Sequence, residues 1–274
     1  NRYYSMTLEQ FNEIAKSIAA EANVLGSHHN YFLLHSTRLY KTHKWFDTFN
    51  RKFGKTLEIG PLYSYSPFIL KNNVESYEIL EGDEPGVYPL LKIYPKYNIP
   101  VNIIDLGLVF GNPLNSERKL PYKDEQFDTI ICWETIEHFN FNPVPFIREL
   151  YRISKPGASI LLTVPNRASA DSLYNLITGR GQIEHIEEFF KYANYEIETH
   201  HTCFAFHWHE YTMREFKHLL TKCDFMIKKS GYLMGFQDKH QLSFLRRLFR
   251  WCLKVGSIIA PSLGNHICVE CIKQ

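Results

Sequence analysis

The chain has 274 residues, 45% of them hydrophobic and 22% charged, with a formal net charge of +2. That balance describes an ordinary globular protein long enough for one large α/β domain with an addition, and gives no electrostatic reason to expect a nucleic-acid partner. No apolar run approaches the roughly 20 residues of a membrane-spanning helix.

The six cysteines are scattered, so a reducing, cytoplasmic setting is expected. Cys268 and Cys271 form a CxxC within HICVECIK. The segment alternates like a strand, which sends the two sulfurs to opposite faces and argues against a metal or redox role.

Taken in order, residues 7–25 carry apolar side chains at helical spacing, with Thr7 and Gln10 as a capping box. A second helix is expected over about 30–52. These form an N-terminal helical addition, residues 1–53, that either covers a ligand pocket or packs on the core. Residues 56–59 then read as a strand closed by Gly60, and Gly60-Pro61 opens a turn. The first such turn of an open α/β sheet is where a nucleotide-like ligand lies, because glycine lets backbone approach it.

Further on, a helix is expected over 66–72, a strand over 76–80 closed by Glu81, a helix over 87–94 and a strand over 101–104 closed by Asp105. A polar loop, 106–119, leads to a strand over 129–132. Asn142 and Pro143 open a helix. Lys155-Pro156-Gly157 reads as a turn before a strand over 159–164. An irregular insertion spans about 167–208. A helix over 211–223 and strands over 225–229 and 266–272 complete the pattern. Residues 242–263 read as a basic, aromatic helix, either capping the sheet or making weak contact with a membrane surface. Strands alternating with helices argue for βαβ units and a mostly parallel sheet.

Certain blocks stand in a recognisable order: LEIGPLYSYS at 57–66, LPYKDEQFDTIICWETIEHF at 120–139, ELYRISKPGASILLTVPN at 149–166 and HEYTMREFKHLLTKCDF at 209–225. This set resembles class I S-adenosylmethionine (SAM)-dependent methyltransferases, and within them the methyltransferase type 11-like branch, over about residues 55–230. The resemblance implies a Rossmann-like, doubly wound, seven-stranded, mostly parallel sheet with helices on both faces, forming one domain over 54–274, and SAM as cofactor. It implies that Glu58, Gly60 and Pro61, with Tyr63 and Ser64 nearby, cradle the methionine part. It implies that Glu81, 23 positions after Glu58, accepts from the ribose hydroxyls, that Asp105 lies near adenine, and that Trp133 and Glu134 flank the cofactor and face the acceptor. Leu62 and Ser64 stand where that family has its second and third glycines, so the turn must follow a different path or carry an insertion.

Methyl transfer needs alignment in a dry pocket, and a hydroxyl acceptor also needs its proton removed. His207, His209, Glu134 and His138 are the candidates for that role. On an extended segment His207 and His209 share one face, so acceptor contact, metal ligation and a structural role all stay open; no metal is assigned. Arg38, His35 and Arg167 are further acceptor-binding candidates. The implied activity is methylation on oxygen of a small polar acceptor such as a sugar, a phosphorylated compound or a surface-glycan precursor. The alternatives are a non-catalytic binding module, motivated by the altered glycine turn, and a lipid-linked, protein or nucleic-acid acceptor.

Overall fold

Thr7 starts the first helix, α1 (Leu8–Glu21): its Oγ1 accepts from the Gln10 amide, and the Gln10 side chain returns the bond to the Thr7 amide. The reciprocal pair satisfies two of the donors that every helix start leaves open. α1 buries Phe11, Ala15, Ile18 and Ala19. α2 (Ser27–Trp45) is shorter than its sequence pattern suggests. Asp47 turns left-handed at φ 55°, and the Thr48 amide donates to the His43 carbonyl at 3.0 Å, closing the helix. Strand β1 (Phe53–Ile59) can therefore begin earlier than expected.

The computed structural model describes residues 6–23, 27–62, 64–82, 88–179, 186–234 and 260–274. The helix expected over 242–263 lies, except for its last four residues, outside them. After β1 come α3 (Ser66–Leu70), β2 (Val74–Glu81), α4 (Tyr88–Leu91) and β3 (Val101–Ile103). The expected single helix over 87–94 is broken: Pro95 offers no N–H to extend it, and a 3-10 turn (Tyr94–Tyr97) takes over.

β4 (Phe127–Trp133) leads to α5 (Val144–Ile153), whose Val144 amide is capped by Asn142 Oδ1 at 3.0 Å. The supposed turn at Lys155-Pro156-Gly157 is a bulge instead. β5 runs through it from Ser154 to Pro165, Gly157 takes φ 79°, and the register against β4 shifts between Phe127 and Thr129. The insertion holds α6 (Ala170–Ile177), α7 (Ile186–Lys191) and α8 (Tyr195–Thr199). α9 (Met213–Lys222) opens on a second capping box, Thr212 with Glu215. β6 (Phe225–Leu233) and β7 (His266–Lys273) finish the sheet.

The seven strands lie in the order β3-β2-β1-β4-β5-β7-β6, parallel except for β7, which is antiparallel to both neighbours. Two apolar clusters cover the two faces. Ile130 and Cys132 sit in one, Ile131 and Trp133 in the other. Burial on both faces explains why these strands read as continuous apolar runs. Cys268 and Cys271 fall in different clusters, on opposite faces as the alternation demands. The strand order reverses between β1 and β4, which is where an open α/β sheet leaves a crevice at its carboxyl edge.

Candidate active site

A cavity of about 320 Å³ occupies that crevice, lined by the ends of β1, β2 and β4, by Arg38 and Leu39 of α2, and by Phe204 and Ala205 of the insertion. The N-terminal helices therefore do both things expected of them: α1 packs on the core, and α2 walls the cavity.

The turn after β1 forms one side. Gly60 takes φ 63°, and a Cβ there would lie 2.8 Å from Thr135 Oγ1, so backbone alone fits. Leu62 (φ 42°) and Tyr65 (φ 55°) also turn left-handed, without glycine. Each costs roughly 1–3 kcal/mol and persists only where the surroundings hold it. Glu81 supplies that hold: its Oε2 accepts from the Leu62 amide at 2.8 Å, and its Oε1 from the Gly82 amide at 3.2 Å. The altered turn thus keeps a left-handed path by pinning itself to the end of β2.

Beneath the turn runs a buried chain of hydrogen bonds. Glu58 Oε2 accepts from the Tyr77 hydroxyl at 2.8 Å, and its Oε1 from Ser64 Oγ at 3.2 Å. Ser66 Oγ donates to Ser64 Oγ at 3.0 Å and lies 3.4 Å from His43 Nε2, whose Nδ1 meets Thr48 Oγ1 at 2.8 Å. Burial pushes the Glu58 carboxyl up to about 7 against the lowering effect of its hydrogen bonds, and pushes the His43 imidazole down to about 3.

The opposite side is the segment after β4. Trp133 stacks on Phe46 at 5.7 Å, and its buried Nε1 has no partner. Glu134, at φ 52°, places Oε2 against His266 Nδ1 at 2.8 Å and Arg38 Nη1 at 3.2 Å. Burial raises this carboxyl, but the charges of His266 and Arg38 outweigh it and hold it well below the usual range. Glu134 Oε1 and Arg38 Nε are buried without partners. His35 of the same helix is pushed down to about 4, chiefly by burial. His138 lines the cavity; its Nδ1 lies 3.0 Å from the Phe206 carbonyl.

Of the residues singled out in the sequence, Glu58, Gly60, Pro61, Ser64, Glu81, Trp133, Glu134 and His138 all line this one cavity. Tyr63 lies outside the described residues. Asp105 does not line it. Its Oδ1 accepts from the Leu108 amide at 3.0 Å and its Oδ2 from the Thr202 amide at 2.6 Å, so it ties the insertion to the end of β3. His207 and His209 are not brought together. His207 packs edge-on to the His138 ring at 4.8 Å and meets Glu210 at 3.1 Å, whereas His209 packs edge-on to Tyr211. One contributor carried no sequence signal as a site: His266, which reaches Glu134 only through the β4-β5-β7 order.

This is the sheet order, crevice and acid-lined glycine turn of a class I SAM-dependent methyltransferase. The chain belongs to the methyltransferase domain family, whose model matches residues 27–229. No curated protein matches in sequence. Among solved structures it is similar to a Haloferax volcanii complex of the Trm112 methyltransferase activator and a methyltransferase, at 11% identity and TM-score 0.59, covering 93% of this chain and 96% of that one. A SAM-dependent methyltransferase from Thermotoga maritima gives 16% identity and TM-score 0.54, covering 95% and 100%. Another from Aquifex aeolicus gives 14% and 0.52, covering 95% and 98%. At these identities the likeness speaks for the fold.

The residues present suit SAM. Gly60 leaves room where any Cβ would collide, Glu81 ends β2 beside it, and Arg38, Trp133 and Glu134 line the same cavity. A carboxylate offers about four acceptor sites, enough for vicinal hydroxyls beside its two backbone bonds.

Proposed function

We propose that this methyltransferase acts on oxygen of a small polar acceptor, a sugar, phosphorylated compound or glycan precursor, with no nucleic acid involved and in the cytoplasm. The observation that carries this reading is the mixed-charge wall that Arg38, Glu134 and His138 give the cavity, with His266 paired to Glu134 behind it. Such a surface recognises hydroxyls and anionic oxygens and penalises apolar acceptors, because its polar atoms would stay unpaired.

SAM supplies an electrophilic methyl on a sulfonium. Gly60, Pro61 and Ser64 would hold its methionine part, Glu81 the ribose, and Trp133 and Glu134 would flank the methyl. Arg38 and Glu134, fixed by each other and by His266, would orient the acceptor oxygen toward the methyl. His138, pushed down to about 4 chiefly by burial, is neutral at physiological pH and able to take a hydroxyl proton. α2 and Phe204 and Ala205 of the insertion wall the cavity, which would limit the water that can compete as acceptor.

Titration calorimetry with S-adenosylhomocysteine tests the cofactor half. Wild type binds, and Glu81→Ala binds on the order of 100-fold more weakly, the worth of charge-assisted bonds to two hydroxyls. Equal affinities overturn the ribose role. Incubation with radiolabelled SAM and pools of sugars, sugar phosphates and oligonucleotides tests the acceptor half; a label that enters only nucleic acid or protein, or a nitrogen linkage in the product, sinks the O-methylation reading.

A further inference from the structure

Behind the acceptor wall lies a carboxylate that the chemistry above does not use. Glu137 has no exposed surface, and neither Oε1 nor Oε2 has a hydrogen-bond partner. An unsatisfied buried polar group costs about 1–3 kcal/mol, and more when charged. Within reach are two imidazoles. One ligating atom from each of Glu137, His138 and His207 lies within 4.8 Å of the others.

The three are held in place by backbone, not by chance contact. The Trp208 and His209 amides donate to the Glu137 carbonyl at 2.8 and 3.3 Å, clamping the segment that carries His207 onto the 3-10 turn (Ile136–His138) that carries the other two. Each imidazole is also fixed through Nδ1: His138 against the Phe206 carbonyl at 3.0 Å, His207 against Glu210 Oε1 at 3.1 Å. A second nitrogen bound to a carbonyl or carboxylate is what orients ligand histidines. His138 Nε2 stands 3.9 Å from Glu137 Oε1.

We propose that Glu137, His138 and His207 bind one divalent transition-metal ion at the acceptor end of the cavity. Two imidazoles and one carboxylate are the set that catalytic zinc takes, with a fourth position open, and they favour zinc, manganese or cobalt over magnesium or calcium. The ion gives the two buried Glu137 oxygens the partner that they otherwise lack. Because His138 also lines the cavity, the open position faces the acceptor. Its role there rests on the O-methylation reading and would replace His138 as base: with His138 held by the ion, the acceptor hydroxyl would release its proton to water on binding, its oxygen would form the new bond to the methyl carbon as the carbon–sulfur bond breaks, and the sulfonium would leave as a neutral thioether.

The test uses the full chain, stripped with chelator and titrated with cobalt(II) chloride. One cobalt per chain with visible ligand-field bands, displaced by zinc(II), is the expected result. His207→Ala, at a half-exposed position, loses saturable uptake. Glu210→Gln weakens it about 10–100-fold. His218→Ala, on the exposed face of α9, leaves it unchanged. S-adenosylhomocysteine calorimetry on each variant reports an intact cavity. No uptake by wild type, or uptake that survives His207→Ala, overturns the cation site. Uptake needs no acceptor, so the site stands or falls separately from the nature of the methylated atom, which is judged on product linkage.

Discussion

At the scale of single residues, Glu58 shows how the fold spends an acid that the sequence marks only by its place before Gly60. The carboxyl is 1% exposed and takes its bonds from Tyr77 and Ser64. Burial raises it from 4.5 to about 7, so between those values the folded chain keeps a proton that the unfolded chain has released. Stability attributable to Glu58 therefore falls as pH rises through that window, by about 3 kcal/mol in all. Glu58→Gln keeps the shape and removes the titration. Urea denaturation at about pH 5 and about pH 7.5 is expected to show the variant gaining on wild type at the higher pH. An unchanged difference means the carboxyl is ionised throughout. Leu62 teaches a related lesson. Its position lacks the expected glycine, and the sequence offers no means of knowing that Glu81 would hold its amide and keep the left-handed turn.

At the scale of elements, α2 carries the largest difference between what was legible and what was not. Its helical pattern is plain in the sequence. Its position is not, because nothing local says that Arg38 and Leu39 reach the cavity or that His43 sits with no exposure among Phe11, Phe49 and Trp133. His43 is the far end of the hydrogen-bond chain from Glu58, and its titration has the opposite sign. Burial lowers it from 6.5 to about 3, so the unfolded chain binds the proton that the folded chain refuses. Stability from His43 is full above 6.5 and is lost on acidification, about 2 kcal/mol by pH 5. His43→Phe keeps the aromatic packing and loses bonds to Thr48 and Ser66. It is expected to be about 1–2 kcal/mol less stable than wild type at neutral pH. At about pH 5 that deficit closes. A deficit that is constant with pH places the acid sensitivity of this helix elsewhere. The two histidines of FHWHEYT make the same point about elements: alternation on a strand would pair them, but the segment is irregular, and each ring finds its own partner.

At the scale of the whole molecule, the contiguous half of the site was readable and the assembled half was not. The turn at Gly60, the acid ending β2 and the block after β4 each keep local spacing, and the sheet order sets them around one crevice. The side of the cavity opposite the turn draws Arg38 from α2, Glu134 from the segment after β4 and Phe204 from the insertion, with His266 of β7 paired to Glu134, and only the closed fold brings these together. Both halves depend on the close approach at Gly60, which gives a test of the molecule as a unit. A ligand at 100 times its dissociation constant stabilises the folded state by about 2.7 kcal/mol. For a chain of this size that corresponds to a rise in melting temperature of roughly 5–10 °C. S-adenosylhomocysteine is expected to give that rise in wild type. Gly60→Val forces a branched side chain into φ 63° and against Thr135. It should lower the melting temperature in the absence of ligand and abolish the rise. The pair Gly60→Ala with Thr135→Ala separates the causes, since it removes the collision and keeps the backbone strain. Partial recovery of the rise assigns the loss to the collision with Thr135, and no recovery assigns it to the left-handed backbone. A full rise in Gly60→Val would move the cofactor out of this crevice altogether, and with it the reading of Glu81 and Glu134 as the two sides of one reaction.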